Sequence, residues 1–146
     1  EGLTISQIAV LLEKSDVILS AEDFIKRCKS EEFLTKYNIP GRSLEGYLFP
    51  DTYFFTPSME AEDVVRKMAD NFFDKAMQVD SLKSLSPEDI HYKVRLASII
   101  EREYRVKDEA PLIASVFTNR LRRNIGLYSC ATVEYIITES LNSVYK

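Results

Sequence analysis

The sequence predicts an α+β domain that is predominantly helical, with one short extended or hairpin element. Three observations carry that reading. Helix start signals recur along the chain, each followed by apolar residues at helical spacing. One stretch, residues 44–55, is dense in aromatic residues around a Pro-Asp pair and suits extended backbone about a turn. The 146 residues, 45% hydrophobic and 29% charged, suffice for a buried core without disulfide or metal staples.

The first helix opens on the capping box Thr4-Ile5-Ser6-Gln7 and continues through Ile8, Leu11 and Leu12. A second start, Ser20-Ala21-Glu22-Asp23, leads into Phe24, Ile25 and Cys28, and short helical material continues through Phe33 and Leu34. The loop Asn38-Ile39-Pro40-Gly41-Arg42-Ser43 precedes the extended stretch, which turns at Pro50-Asp51. From about Glu60 to Val79, the spacing of Val64, Met68, Phe72 and Met77 predicts a helix. Ser86-Pro87-Glu88-Asp89 offers a cap residue, a proline at the first helical position and acids in the first turn. The helix it starts runs to about Tyr104. Another spans about Asp108 to Arg123, Gly126 breaks the pattern, and Thr132 to Thr138 begins a final helix that is cut short.

Composition removes several function classes. With 19 basic and 23 acidic residues the chain is mildly acidic, unlike a general nucleic-acid binder. No stretch approaches the ~20 apolar residues of a membrane span, and nothing at the N-terminus reads as a signal peptide. The opening without Met suggests a processed or excised fragment. Cys28 and Cys130 are too far apart for a zinc or redox motif and read as two small buried thiols, with a disulfide left open. A single histidine, His91, argues against catalytic dyads built on histidine and against multi-histidine metal sites. Four glycines form no phosphate-cradling loop. No metal or cofactor is expected, and the available chemistry narrows to carboxylates.

The helix from Pro87 to Tyr104 is the informative one. Ile90, Val94, Ala97 and Tyr104 lie on one stripe that includes Glu101. Tyr92, Leu96, Ile99 and Ile100 widen the apolar arc until it includes Glu103, leaving His91, Arg95, Ser98 and Arg102 as a narrow polar face. Two glutamates are thus expected at covered positions. A carboxylate there either pairs with a cation, for instance Arg120, or is pushed towards its neutral form. A neutral carboxylic acid is what general-acid catalysis on a glycosidic oxygen requires. Both readings stand, and the helical wheel does not choose between Glu101 and Glu103. From Lys93 to Arg123 there are eight basic residues against four acidic ones, a surface that suits an anionic substrate or a solvated helix face.

The run Glu45-Gly46-Tyr47-Leu48-Phe49-Pro50-Asp51-Thr52-Tyr53 resembles the E-G-Y-L-F-P-D-T-Y signature of the YceG-like (MltG) family of membrane-anchored endolytic murein transglycosylases. Leu96-Ala97-Ser98-Ile99-Ile100-Glu101-Arg102-Glu103 resembles that family's L-A-S-I-[IV]-E-[KR]-E helix, and Ala114-Ser115-Val116-Phe117-Thr118-Asn119-Arg120-Leu121 its A-x-V-F-x-N-R-L helix. The opening Glu1-Gly2-Leu3-Thr4, with Gln7-Ile8-Ala9, is similar to the family's first segment. Together these cover residues 1 to about 139.

The resemblance implies a lysozyme-like catalytic domain over residues 37–146, incomplete at its C-terminus, after the rear part of a LysM-like subdomain in residues 1–36. It implies Glu101 as the catalytic acid and the peptidoglycan glycan strand as substrate, cut between N-acetylmuramic acid and N-acetylglucosamine. The reaction implied is lytic: Glu101 protonates the glycosidic oxygen, then acts as base on the muramic acid's 6-hydroxyl, giving a 1,6-anhydro end. Such an intramolecular attack needs one acid/base group, where hydrolysing glycosidases usually need two carboxylates. Glu45, Tyr47, Asn119 and Thr132 are the candidate substrate contacts. Their structural alternatives are a cap or turn residue for Glu45 and a core aromatic for Tyr47. Asn119 is alternatively a hydrogen bonder at a helix end.

Where the family reads L-Q-[ST]-D-P-T-V, this chain reads Leu127-Tyr128-Ser129-Cys130-Ala131-Thr132-Val133, so Tyr128, Cys130 and Ala131 replace glutamine, aspartate and proline. That departure motivates the alternative of a catalytically silent peptidoglycan-binding or scaffold module. The resemblance further implies an extracytoplasmic location, with the membrane reached only through an N-terminal anchor absent from this chain. It also implies cell-wall synthesis proteins as partners and no nucleic acid.

Overall fold

The computed structural model describes residues 1–76 and 78–141; the expected helix-face residue Met77 and the last five residues lie outside them. The chain packs as two compact units, one comprising Leu3–Val94 with Glu1, the other running from Arg95 onward with Gly2.

The first unit begins with three short helices, each started by a hydroxyl cap. Helix α1 spans Ile5–Lys14, α2 Ala21–Cys28 and α3 Glu31–Lys36. The capping box of α1 is reciprocal: Gln7 N–H donates to Thr4 Oγ1 at 3.3 Å, and Thr4 N–H to Gln7 Oε1 at 3.0 Å. Ser20 and Ser30 accept in the same way from Asp23 N–H and Phe33 N–H. A long helix, α4, spans Ala61–Ala76. It buries Val64, Val65, Met68 and Ala69 against Ile5, Ala9, Phe24, Cys28, Phe33 and the loop residues Leu44, Tyr47 and Leu48. Residues 78 and 79, expected to close this helix, form a turn instead, and a one-turn helix α5, Asp80–Lys83, follows that periodicity gave no sign of.

The expected strand or hairpin is absent, since no strand forms among the described residues. Residues 49–56 are irregular and keep the two-residue alternation of a strand. Tyr53 and Phe55 stack at 5.3 Å while Phe54 between them is 88% exposed. Helix α4 takes the place of a partner strand. Phe49 N–H donates to Met68 O, Lys67 Nζ to Phe54 O, and Asn71 Nδ2 to both Asp51 Oδ2 and Tyr53 Oη. Farther along, Met59 N–H donates to Val17 O at 2.8 Å. Phe49 N–H and Phe54 O thus find their partners on α4 rather than on a neighbouring strand. The fold class is therefore helical with an extended loop, and the β part of the expectation is corrected.

Helix α6 spans Pro87–Glu103, close to the expected range, and begins in the first unit and ends in the second. A 3₁₀ turn at Lys107–Glu109 leads into α7, Ala110–Arg122, and α8, Cys130–Tyr135, continues as a π-helical turn over Ile136–Leu141. Of the two cysteines, Cys28 is buried as expected and Cys130 is exposed, which corrects the second half of that expectation; both are free thiols. Burial pushes the Cys28 thiol up to about 12, with the Glu45 carboxylate adding to the effect. Among the described residues, no helix is long and apolar enough to cross a membrane.

Candidate active site

Glu45, Gly46 and Tyr47 sit in the first unit, on the loop between α3 and α4. The half-buried Glu45 carboxylate accepts from the backbone N–H of Ile5 through both oxygens, at 3.2 and 3.3 Å. Ile5 is the first residue of α1, whose amino end carries a partial positive charge that favours an anion. Tyr47 is 1% exposed. Its ring stacks between Phe73 and His91, and its hydroxyl shares a 3.0 Å hydrogen bond with His91 Nδ1. Burial pushes the Tyr47 phenol up to about 12. Gly46 joins the two at φ +83, where a Cβ would stand 2.6 Å from Val94 Cγ1.

The other candidates sit in the second unit. The expectation that α6 is covered around most of its circumference is corrected: none of its residues is fully buried, and Tyr92 and Ala97 are exposed. Glu101 and Glu103 are both half-buried, two residues apart on α6. Tyr104 Oη donates to Glu101 Oε2 at 2.6 Å. Ser129 Oγ, itself buried, donates to Glu103 Oε1. Among the described residues no cation lies within salt-bridge distance of either glutamate. Arg120, the expected partner, instead donates to Leu127 O at 2.6 Å and braces the turn after α7. Arg102 reaches Gly2 O at 3.2 Å and Glu134 at 3.0 Å.

The two acids of α6 are thus held differently. Glu103 ties the helix to the connection before α8. Glu101 is held by a hydroxyl three residues on in its own chain. Asn119 is exposed on α7, and the Thr132 hydroxyl on α8 donates to Ser129 O at 2.7 Å. Tyr128 is 86% exposed at φ +51. Helical spacing treats Tyr104 as a core residue, yet it is the partner of Glu101; the i, i+3 relation of the two was the available signal. Nothing in the sequence pointed to Ser129 as the partner of Glu103.

The model of the YceG-like family matches residues 1–146, the whole chain. This chain belongs to the YceG-like family. Two relatives, each named endolytic murein transglycosylase, come from Bacillus subtilis strain 168 and Streptococcus pneumoniae R6. They are 33% and 30% identical over 92% of this chain, corresponding to 41% and 28% of their own lengths. A crystal structure of a YceG-like protein from Listeria monocytogenes superposes with a TM-score of 0.79 at 30% identity, over 95% of this chain and 51% of that one. The YceG-like chain therefore spans less than half of the curated relatives it matches.

Proposed function

We propose that this YceG-like chain is part of a peptidoglycan lytic transglycosylase in which Glu101 is the single acid/base. The observation that carries the reading is the state of Glu101: a half-buried carboxylate on α6 with no cation at salt-bridge distance among the described residues, held by one hydroxyl at 2.6 Å. A structural ion pair would account for a glutamate at this position without chemistry, and no such pair is present among the described residues. The relatives' shared name, endolytic murein transglycosylase, supplies the substrate class.

Glu101 gives its proton to the glycosidic oxygen between N-acetylmuramic acid and N-acetylglucosamine as the C1–O bond breaks. The resulting carboxylate then takes the proton of the muramic acid's own C6 hydroxyl as O6 bonds to C1. The strand ends in a 1,6-anhydro sugar, no water is consumed, and Glu101 is returned protonated. A second catalytic carboxylate is unnecessary.

Glu45, Tyr47, Asn119 and Thr132 are the substrate-side residues of this proposal. Asn119 is exposed and suited to direct hydrogen bonding. Thr132 spends its proton on Ser129 O and keeps oxygen lone pairs to accept. Glu45 and Tyr47 serve through the loop they fix, since one caps α1 and the other is 1% exposed. Residues 1–36 are read as the rear of a LysM-like subdomain and 37–146 as the lysozyme-like catalytic domain. The exposed Arg95, Arg105, Lys107, Arg122 and Arg123 suit an anionic polymer. A glycan-strand substrate suits a protein on the extracytoplasmic face of the membrane, and the single N-terminal anchor and the cell-wall synthesis partners belong to this proposal through the family resemblance.

The departure at Tyr128, Cys130 and Ala131 favours a second reading, a silent wall-binding module. Mass spectrometry of peptidoglycan digests separates the two. Anhydro-ended fragments are expected from the active enzyme, heavier reducing ends would mean hydrolysis, and binding without any cleavage would favour the silent module.

A further inference from the structure

We propose that Tyr104 is a positioning residue for Glu101, fixing which carboxyl oxygen faces the glycosidic bond and steadying the carboxylate formed as the proton leaves. The proposal rests on the reading of Glu101 as the acid/base. Tyr104 follows directly on α6, and its N–H donates to Ile100 O at 3.3 Å, so the helical path continues through it. Three residues on from Glu101, its ring lies alongside the glutamate, and the phenol donates to Oε2 at 2.6 Å.

A glutamate's terminal torsion is soft, so a free carboxyl presents either oxygen in many orientations. Tyr104 removes that freedom at one end by occupying Oε2. Oε1 is then the oxygen that carries the acidic proton and meets substrate.

The hydroxyl does more than orient. A hydrogen bond to an ionised acceptor is roughly twice as strong as one to a neutral acceptor. Tyr104 therefore binds the carboxylate that exists after protonation of the leaving oxygen more tightly than the acid that precedes it. Interactions that strengthen along the reaction raise kcat, while those equal in ground and transition states appear in KM. In this step the proton moves from Glu101 Oε1 to the glycosidic oxygen, and it is recovered from the C6 hydroxyl. Tyr104 keeps its own proton throughout.

The test is Tyr104→Phe in the intact protein, assayed by anhydro-product formation from peptidoglycan, with Tm as a folding control. The expected result is a loss of roughly tenfold or more in kcat, the size of a charge-assisted hydrogen bond, with KM within about twofold and Tm little changed. Incorporating 3-fluorotyrosine at position 104 keeps ring and hydroxyl, so it is expected to retain near-native turnover even if the Phe variant melts early. Unchanged kcat in Tyr104→Phe overturns the proposal, as does a loss confined to KM, and so does a loss that fluorotyrosine shares. Absence of anhydro product from the native protein is a different failure: it removes the reading of Glu101 and the proposal with it.

Discussion

At the scale of single residues, Gly46 is the most constrained position in the signature it belongs to. Its φ of +83 is a conformation other residues seldom adopt, and a Cβ would press within 2.6 Å of Val94 Cγ1. Gly46→Ala is therefore expected to lower stability by about 1–3 kcal/mol, from strain and from displacing Val94. Chemical denaturation measures this, and an unchanged midpoint would show that the loop adjusts at no cost. Glu45 and Tyr47 were legible in the sequence as a motif, but their partners were not. The N–H that Glu45 accepts from is 40 residues away, and the imidazole on Tyr47 is 44 away. Periodicity reports only neighbours within a few turns. The same limit explains Glu101: it is half-buried like Ile90, Val94 and Tyr104 of its stripe, but Ala97 of that stripe is exposed, because how far other elements cover α6 is a tertiary fact that the wheel overstates.

At the scale of elements, caps were the most dependable signal, because each is settled within four residues. Thr4, Ser20 and the Ser86-Pro87 pair all start helices where expected, with Ser86 Oγ accepting from Asp89 N–H at 3.1 Å. The extended stretch was misread for the opposite reason. Its alternation and aromatic content describe a surface to be packed, and they do not specify whether a strand or a helix packs against it. Helix α4 does so here, through the Met68 carbonyl and the Lys67 and Asn71 side chains. Asn71 bridges Asp51 and Tyr53. Its amide, together with the Thr52 N–H, holds the Asp51 carboxyl below the usual carboxylate range. Asn71→Ala is expected to cost about 1 kcal/mol and to increase amide exchange in residues 49–56. Unaltered exchange there would mean that the segment is held by its aromatic packing alone.

At the scale of the whole molecule, the buried acids of the first unit set its alkaline limit. Tyr47 and Cys28 are neutral when protonated, and burial raises both to about 12, from ordinary values of 10.0 and 9.0. A neutral acid whose folded value is raised contributes stability in full below its unfolded value and loses it as pH rises through the folded value. Tm is therefore expected to fall between about pH 9 and pH 12, and less steeply in Tyr47→Phe, which has one such group fewer. Equal slopes in the two proteins would remove Tyr47 from this limit.

The central claim is that one carboxylate of α6 performs the chemistry while its neighbour two residues on holds structure. Parallel digestion of peptidoglycan by the native protein, Glu101→Gln and Glu103→Gln, with mass spectrometry of the fragment ends, tests it most directly. Glu101→Gln is expected to reduce anhydro-product formation by about 10²–10⁴, the contribution of a general acid. Its unfolding free energy should move by only about 0.5 kcal/mol, since among the described residues it takes part in no ion pair. Glu103→Gln is expected to keep most of the turnover while melting earlier, because its bond from the buried Ser129 ties α6 to the connection before α8, whereas the Glu101 bond is local to its own helix end. Full turnover in Glu101→Gln, or a loss of chemistry confined to Glu103→Gln, would contradict the assignment.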